Sequence, residues 1–315
     1  MPFKKPVPKS GAAINEVEIG VGAGAITLGG ENVLPFYSFD GAIKNSPKIG
    51  IEVSDVEFAD AVPGIAELYA GTSSVAERVA KAAAVPGADF VALRFESADP
   101  NGLDVSSEDC AKVAKEAYDA IGDSKALVIV GCKNNEKDAQ LFDKVAAALE
   151  GKNVLFVSAK EENYKTVAAS VGLAYNQKIS AESAVDINLA KQLNVLVTQM
   201  GVNAKNVVMN VGTASAGYGF EYVVSTIDRI KSAAMNQNDA TLQMPIITPV
   251  STETWGVKEA SATEEDMPQW GNPEQRGIDM EVMTAVSVIA SGSNAVILRH
   301  PKSIEALSAL VNALA

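Results

Sequence analysis

The residue types that could carry out chemistry are sparse in this sequence. Among 315 residues there is one histidine, His300, and two cysteines, Cys110 and Cys132. One histidine supplies neither a histidine-based metal site nor a Ser-His-Asp arrangement, and no serine sits in a nucleophile motif. Neither cysteine has a second sulfur near it in the sequence to build a cluster or a metal site, so both read as packed thiols of a reducing compartment. Two glycine-rich stretches invite a phosphate reading and fail it. GVGAG at 20–24 has no helical period after it, which the dinucleotide fingerprint requires, and reads as part of a turn-rich hairpin. From Gly212 to Gly217 the spacing matches the first half of a phosphate loop, but Tyr218 and Gly219 stand where a Lys and a Ser or Thr are needed. Nucleoside triphosphate binding is therefore excluded, while the backbone N–H groups of GTASAGYGF could still cradle an anion or an amide oxygen.

The elements that must position these residues follow a repeating pattern. From residue 48 onward a short apolar run alternates with a helical period eight times: KIGIEVSD (48–55), DFVALRFE (89–96), KALVIVG (125–131), NVLFVSA (153–159), a weak LAYNQ (173–177), NVVMNV (206–211), PIITPV (245–250) and NAVILRH (294–300). Most are rich in β-branched residues without alternation, as in strands buried on both faces, and strands alternating with helices give a parallel sheet. Ser74 with Glu77, and Ser106 with Asp109, provide helix starts, and Asn135 is a further cap candidate. Phe220, Val223, Val224, Ile227 and Ile230 form one apolar helical stripe. Eight such units close into an α/β (βα)8 TIM barrel, with an open doubly wound sheet as the alternative that periodicity leaves standing. The expected division is an N-terminal arm and β-hairpin over 1–45, its turn at Gly29-Gly30 between Ile26–Leu28 and Val33-Leu34, followed by the barrel over 46–315.

Barrel sites lie at the carboxyl ends of the strands. The expected rim is Asp55, Glu96, Asn134, Ser158, Asn176, Asn210 with Gly212 and Thr213, Thr248 with Ser251 and Thr252, and His300, joined by Gly217 and Tyr218 of the glycine-rich loop. Amides and hydroxyls dominate this set and acid–base groups are few, so it reads as a recognition surface rather than a reactive one. A long segment, 252–277, follows the seventh strand and holds both tryptophans, Trp255 and Trp270, a placement that suits a lid or a contact with a partner.

Composition narrows the partners. Lys and Arg total 26 against 39 Asp and Glu, a net charge of −13, which repels phosphate and excludes nucleic acid and anionic membranes. The amino terminus lacks the apolar core of a signal peptide, and no stretch approaches the ~20 apolar residues of a membrane span, so a cytoplasmic location is expected.

GGENVLPF at 29–36, SPKIGIEVSD, ADFVALRFES and NVVMNVGTASAGYGFEYVVSTIDRI, taken in order, resemble the small subunit of the corrinoid iron–sulfur protein, the delta subunit family of the acetyl-CoA decarbonylase/synthase complex. The resemblance runs from about residue 15 onward. It implies a non-catalytic subunit paired with a large subunit that carries a four-iron cluster and binds the tail of a cobamide (B12-type corrinoid). The top of this barrel would cover the corrin through Asn134, Asn176, Asn210, Gly212, Thr213, Gly217, Tyr218, Thr248 and His300, with Trp255 and Trp270 at the partner interface. The pair would carry a methyl group from a methyltetrahydrofolate:corrinoid methyltransferase to acetyl-CoA synthase/CO dehydrogenase in the reductive acetyl-CoA pathway. Corrinoid domains that ligate cobalt through histidine carry an Asp-x-His-x-x-Gly pattern, and Leu298, His300 and Ser303 occupy those places here, so this chain is not expected to supply that ligand. Two other readings stay open: a pterin-binding barrel methyltransferase using Asn134, Asn176 and Asn210, and a purely structural scaffold.

Overall fold

A computed structural model describes residues 10–37, 43–56 and 62–314. Its main sheet has eight parallel strands: β3 (Lys48–Ser54), β4 (Phe90–Arg94), β5 (Ala126–Val130), β6 (Leu155–Ala159), β7 (Lys178–Glu182), β8 (Val207–Asn210), β9 (Ile247–Pro249) and β10 (Ala295–Leu298). Their order is β8-β7-β6-β5-β4-β3-β10-β9, and a parallel bridge between Met209 and Ile246 joins the two ends into a barrel. The open-sheet alternative is thereby removed. A helix or helical segment follows each strand, and none of the described helices is long and apolar enough to cross a membrane.

Alternation along each strand decides what faces the lumen. Outward positions such as Ile51, Val53, Val91, Leu93 and Phe156 join the large core beneath the helices, whereas Phe90, Ala92, Ala126, Val128, Leu155 and Ile297 form a separate apolar cluster inside the barrel. Gly50 leaves room for Phe90 in that lumen, since a Cβ there would lie 2.1 Å from the ring. The floor of the same cluster comes from outside the barrel. Strands β1 (Val17–Ile19) and β2 (Ile26–Leu28) form an antiparallel hairpin, and Val17, Ile19, Ile26 and Leu28 pack under the amino ends of the barrel strands.

That hairpin corrects the sequence reading, which put the turn at Gly29-Gly30 and the second strand at Val33-Leu34. The turn instead lies within 20–25, in the stretch containing GVGAG, where Gly20 and Gly22 adopt positive φ. Gly29 and Gly30 also have positive φ, but they turn the chain out of β2 so that Gly30 N–H reaches Ile14 O and Ile14 N–H reaches Glu31 O. Glu31 then enters the protein and meets Lys231 Nζ at 2.7 Å, with side-chain exposures of 5% and 1%. Asn294 donates to the same Glu31 oxygen at 2.8 Å and accepts from Lys231 at 2.9 Å.

A second correction concerns the fifth barrel strand, expected at 173–177 and found at Lys178–Glu182. The preceding helix continues as a π-helix through Ala174, which consumes part of LAYNQ. KISAE escaped notice because its lumen-facing members are Lys178, Ser180 and Glu182, leaving only Ile179 and Ala181 to signal a strand. The serine caps stand as expected: Ser74 and Ser106 side chains accept from Glu77 and Asp109 N–H. Asn134, rather than Asn135, caps the helix Asn135–Ala148 by accepting from Lys137 N–H at 3.0 Å.

Candidate functional site

Polar lumen-facing residues replace apolar ones toward the carboxyl ends of the strands, and there a cavity of about 220 Å³ opens. Its apolar side is Val130, Val157 and Pro249; its polar side includes Arg94, Ser158, Lys160, Glu182, Asn210 and Thr213. Asn210 organises this polar side, donating from Nδ2 to Ser158 Oγ at 3.0 Å and to Glu182 Oε2 at 3.2 Å. Its Oδ1 accepts the Gly212 N–H at 3.0 Å, a return of the chain made possible by the positive φ of Gly212. Lys160 lies 3.3 Å from Glu182. The Thr213 hydroxyl oxygen is buried and has no hydrogen-bond partner, which is uncommon for a buried polar group.

Beside the cavity runs a charged wall. Glu52 Oε1 accepts from Arg299 Nε at 3.0 Å and Nη2 at 2.7 Å, while Ser251 donates to Oε2 at 2.8 Å. Burial pushes the Glu52 carboxyl up, but Arg299 and Arg94 outweigh it and hold the group below the usual glutamate value. Arg94 pairs with Glu96 at 3.0 Å and donates to Thr252 at 3.3 Å, and its Nε–H is buried without a partner. Next to the cavity mouth, burial raises the pKa of Asp138, and Gly131 gives its carboxylate room, since a Cβ there would meet it at 2.4 Å.

The rim is thus richer in charge than its expected composition of amides and hydroxyls. Glu52 and Arg94 fall inside expected strands and Glu182 outside any of them, so none of the three belongs to the expected rim. For Glu52 and Arg94 a signal is present in the sequence: a charged residue inside an apolar parallel strand is costly unless it is paired or faces a site. Only the register shows that all three point into the lumen.

Among the expected rim residues, Ser158, Asn210, Gly212, Thr213 and Thr252 line the cavity. Asn134 is spent on its helix cap, and Thr248 is fully buried with its hydroxyl 2.8 Å from Ser293. Asn176 lies at the opposite end of the barrel, before β7, accepting from Asn206 at 2.8 Å; the misplaced fifth strand put it on the wrong face. Gly217 adopts positive φ in the open loop, and Tyr218, half exposed, donates to Glu259 at 2.6 Å. Ser215 donates to Glu253 O at 2.7 Å and Ala216 N–H to Thr284 at 3.2 Å, so the glycine-rich loop is tied to the segment after β9.

His300 lies outside the cavity lining. It is fully buried, its Nε2 3.1 Å from Glu274 and its Nδ1 accepting from Lys302 N–H at 3.1 Å, which assigns the neutral Nε2–H tautomer. Burial lowers its pKa below the ordinary 6.5, partly opposed by Glu274. As pH falls below about 6.5 the unfolded chain takes up a proton that the folded chain refuses, so stability is lost with acidification until the folded value is passed. Denaturant titrations at pH 7.5 and 5.5 are expected to show a larger loss for the wild type than for His300→Gln; equal losses would contradict the assignment.

Trp255 stacks on His300, with ring centroids 5.9 Å apart and planes 22° from parallel. Gly277 makes this possible, because a Cβ there would lie 2.2 Å from the indole. Trp255 thus pins the start of the long segment onto its own barrel, whereas the ring of Trp270 is met by Lys258 and Arg276, at 5.7 and 5.5 Å from its centroid. Trp255→Ala is expected to destabilise the isolated chain by about 2–3 kcal/mol, below the cost for a fully buried aromatic. An unchanged melting temperature would show that the stack contributes nothing.

Cys110 and Cys132 are buried, and burial raises their thiols to about 11 and about 12, away from the thiolate needed for metal ligation. Among the described residues no group of three or more His, Cys, Asp and Glu side chains is placed to hold a metal ion.

The sequence profile of the CO dehydrogenase/acetyl-CoA synthase delta subunit matches residues 16–312. Subunit delta of the acetyl-CoA decarbonylase/synthase complex of Archaeoglobus fulgidus is 30% identical over 294 residues, covering 92% of this chain and 64% of that protein. The corresponding subunit of Methanothermobacter thermautotrophicus is 29% identical over 308 residues, covering 97% and 77%. The chain therefore spans just under two thirds of the A. fulgidus relative. Among solved structures, dihydropteroate synthase of Xanthomonas albilineans superposes with a TM-score of 0.57 at 13% identity, over 87% of this chain and 95% of that one, a likeness of fold alone.

Proposed function

We propose, from the premise that this chain belongs to the CO dehydrogenase/acetyl-CoA synthase delta subunit family, that the carboxyl face of its barrel covers a corrinoid held jointly with a large partner subunit. The observation that carries the proposal is the cavity mouth, where Asn210, Ser158 and the unpartnered Thr213 hydroxyl offer hydrogen bonds at the end of the barrel where ligands bind. At about 220 Å³ the cavity falls below the roughly 300–1,000 Å³ of pockets that enclose small molecules, so a corrin ring would lie over the mouth and not within it.

In this reading the corrinoid supplies the cobalt that accepts and gives up a methyl group. The chain's own residues orient and shield: Asn210, Gly212 and Thr213 face the corrin from the rim, and the loop carrying Gly217 and Tyr218 borders it. A closed site limits side reactions of a reactive centre. The cobamide tail and the four-iron cluster would be held by the large subunit, and this chain would supply no ligand to either metal: His300 is engaged by Glu274 and Trp255, and burial pushes both thiols away from ligation. Trp270, partly exposed on the long segment, carries the proposed partner contact. Methyl donor and acceptor would be a methyltetrahydrofolate:corrinoid methyltransferase and acetyl-CoA synthase/CO dehydrogenase, in the cytoplasm. For a pterin methyltransferase, Asn134, Asn176 and Asn210 would need to converge, and only Asn210 lines the cavity.

Cobalt analysis tests the proposal. The chain purified alone and the chain co-expressed with its large subunit are both incubated with cobamide and desalted. Near one cobalt per pair and none on the single chain is expected; cobalt on the single chain, or on the large subunit equally with and without this chain, would overturn it.

A further inference from the structure

The cavity below the rim holds chemistry that a flat cover over a ring does not need. Its three cations are already matched: Arg94 by Glu96 at 3.0 Å, Lys133 by Glu253 at 3.2 Å and Lys160 by Glu182 at 3.3 Å. An incoming anion would have to break one of these pairs, and the one lining carboxylate outside them, Asp138, is buried and already accepts the Cys132 N–H, so the lining favours a neutral guest. The hydrogen-bonding groups left over are of both kinds. The Thr213 hydroxyl can donate or accept, and the Arg94 Nε–H can only donate; both are buried with no partner. Glu182, in turn, has carboxylate lone pairs beside Asn210 that accept. Opposite them Val130, Val157 and Pro249 present an apolar surface.

A guest that is neutral, that donates and accepts at one end, and that has a short apolar stem satisfies all of these conditions. A primary carboxamide on a methylene chain is that chemistry. We infer that the cavity receives one of the primary carboxamide arms on the periphery of the corrin, its head among Thr213, Glu182 and Arg94 and its methylene stem along Val130 and Val157. The inference rests on the capping proposal and sharpens it. The arm fixes the rotation of the ring over the barrel mouth, which a cover without a socket would leave free. Thr213 and Glu182 are thereby ligand-positioning residues.

Equilibrium dialysis on the assembled pair of this chain and its large subunit tests the inference without reference to turnover. The probes are the parent cobamide and a series in which one propionamide at a time is hydrolysed to propionate. The wild-type pair is expected to bind one member of the series at least 10-fold more weakly than the parent, since a carboxylate entering the cavity meets Glu182. Thr213→Val, a change of shape by almost nothing, is expected to weaken parent binding about 10-fold, as for one lost hydrogen bond, and to reduce the discrimination against that one analogue. If every analogue binds as the parent does and Thr213→Val changes nothing, no arm enters and the inference is overturned while the capping proposal stands. A wild-type pair that takes up no cobamide overturns both.

Discussion

Arg299→Met is expected to lower the stability of the folded chain by about 3–5 kcal/mol, the usual cost of removing one partner of a buried ion pair. Glu52 is 1% exposed, and Arg299 gives it two of its hydrogen bonds, both to Oε1. Without the guanidinium, Ser251 and Thr252 still donate to Oε2, but the carboxylate keeps its desolvation cost and loses its nearest charge. A pH signature separates this cause from lost packing. In the wild type the Glu52 carboxyl is held below 4.5, so its contribution is present above about pH 4.5 and is lost as pH falls through the lower folded value. In the variant, burial is less opposed and lifts the carboxyl above that value, so stability should decline as pH rises from about 4.5. The deficit against wild type should therefore be smaller at pH 5 than at pH 7.5, and Glu52→Gln/Arg299→Met should recover much of it. A deficit independent of pH would assign the loss to packing instead.

Lys231→Met is expected to cost a similar amount, about 3–5 kcal/mol, at the other end of the barrel. The lysine is the last residue of the helix Phe220–Lys231, and its ammonium reaches Glu31 and Asn294 in a region closed to solvent. Removing it leaves Glu31 with one donor from Asn294 and with Oε2 already unpartnered. Because Glu31 anchors the segment that follows β2, the loss should be local first. Proteolysis and amide exchange should report opening of 14–31 before the barrel melts, and Lys231→Met/Glu31→Leu should regain most of the lost stability. If Lys231→Met leaves both global stability and the protection of 14–31 intact, the pair is not what holds the hairpin under the barrel.

These two ion pairs also mark where the sequence was legible and where it was not. Of the seven barrel strands that could be located, six are apolar on both faces for most of their length, so a continuous run betrays them, and β3 shows through its outward Ile49, Ile51 and Val53 alone. The fifth failed because its lumen face is Lys178, Ser180 and Glu182, and a strand whose inward positions serve a site looks like a loop. That one slip carried Asn176 from the amino end of the barrel to the carboxyl end. In the GGENVLPF stretch Gly29-Gly30 do turn the chain, though out of β2 and not between two strands, and Glu31, to which the sequence assigns no role, is buried against a lysine 200 residues away. Pairings at that separation leave no periodic trace. The glycine-rich loop fared better, because Asn210, Gly212 and Thr213 are neighbours in sequence and their convergence needs only the strand end and one positive φ. Arg94 and Glu52 lay in view within their strands, and what sequence lacked was the register that turns them inward.

Amide hydrogen exchange on this chain, free and in complex with its cobamide-loaded large subunit, tests the central claim most directly. If the carboxyl face covers the corrinoid, protection should appear in the loops at 131–134, 211–219 and 250–256 while 20–25 and 122–125, beneath the barrel, exchange as in the free chain. Protection confined to the amino face, or none at the carboxyl loops in a pair shown to be assembled and loaded, would contradict it.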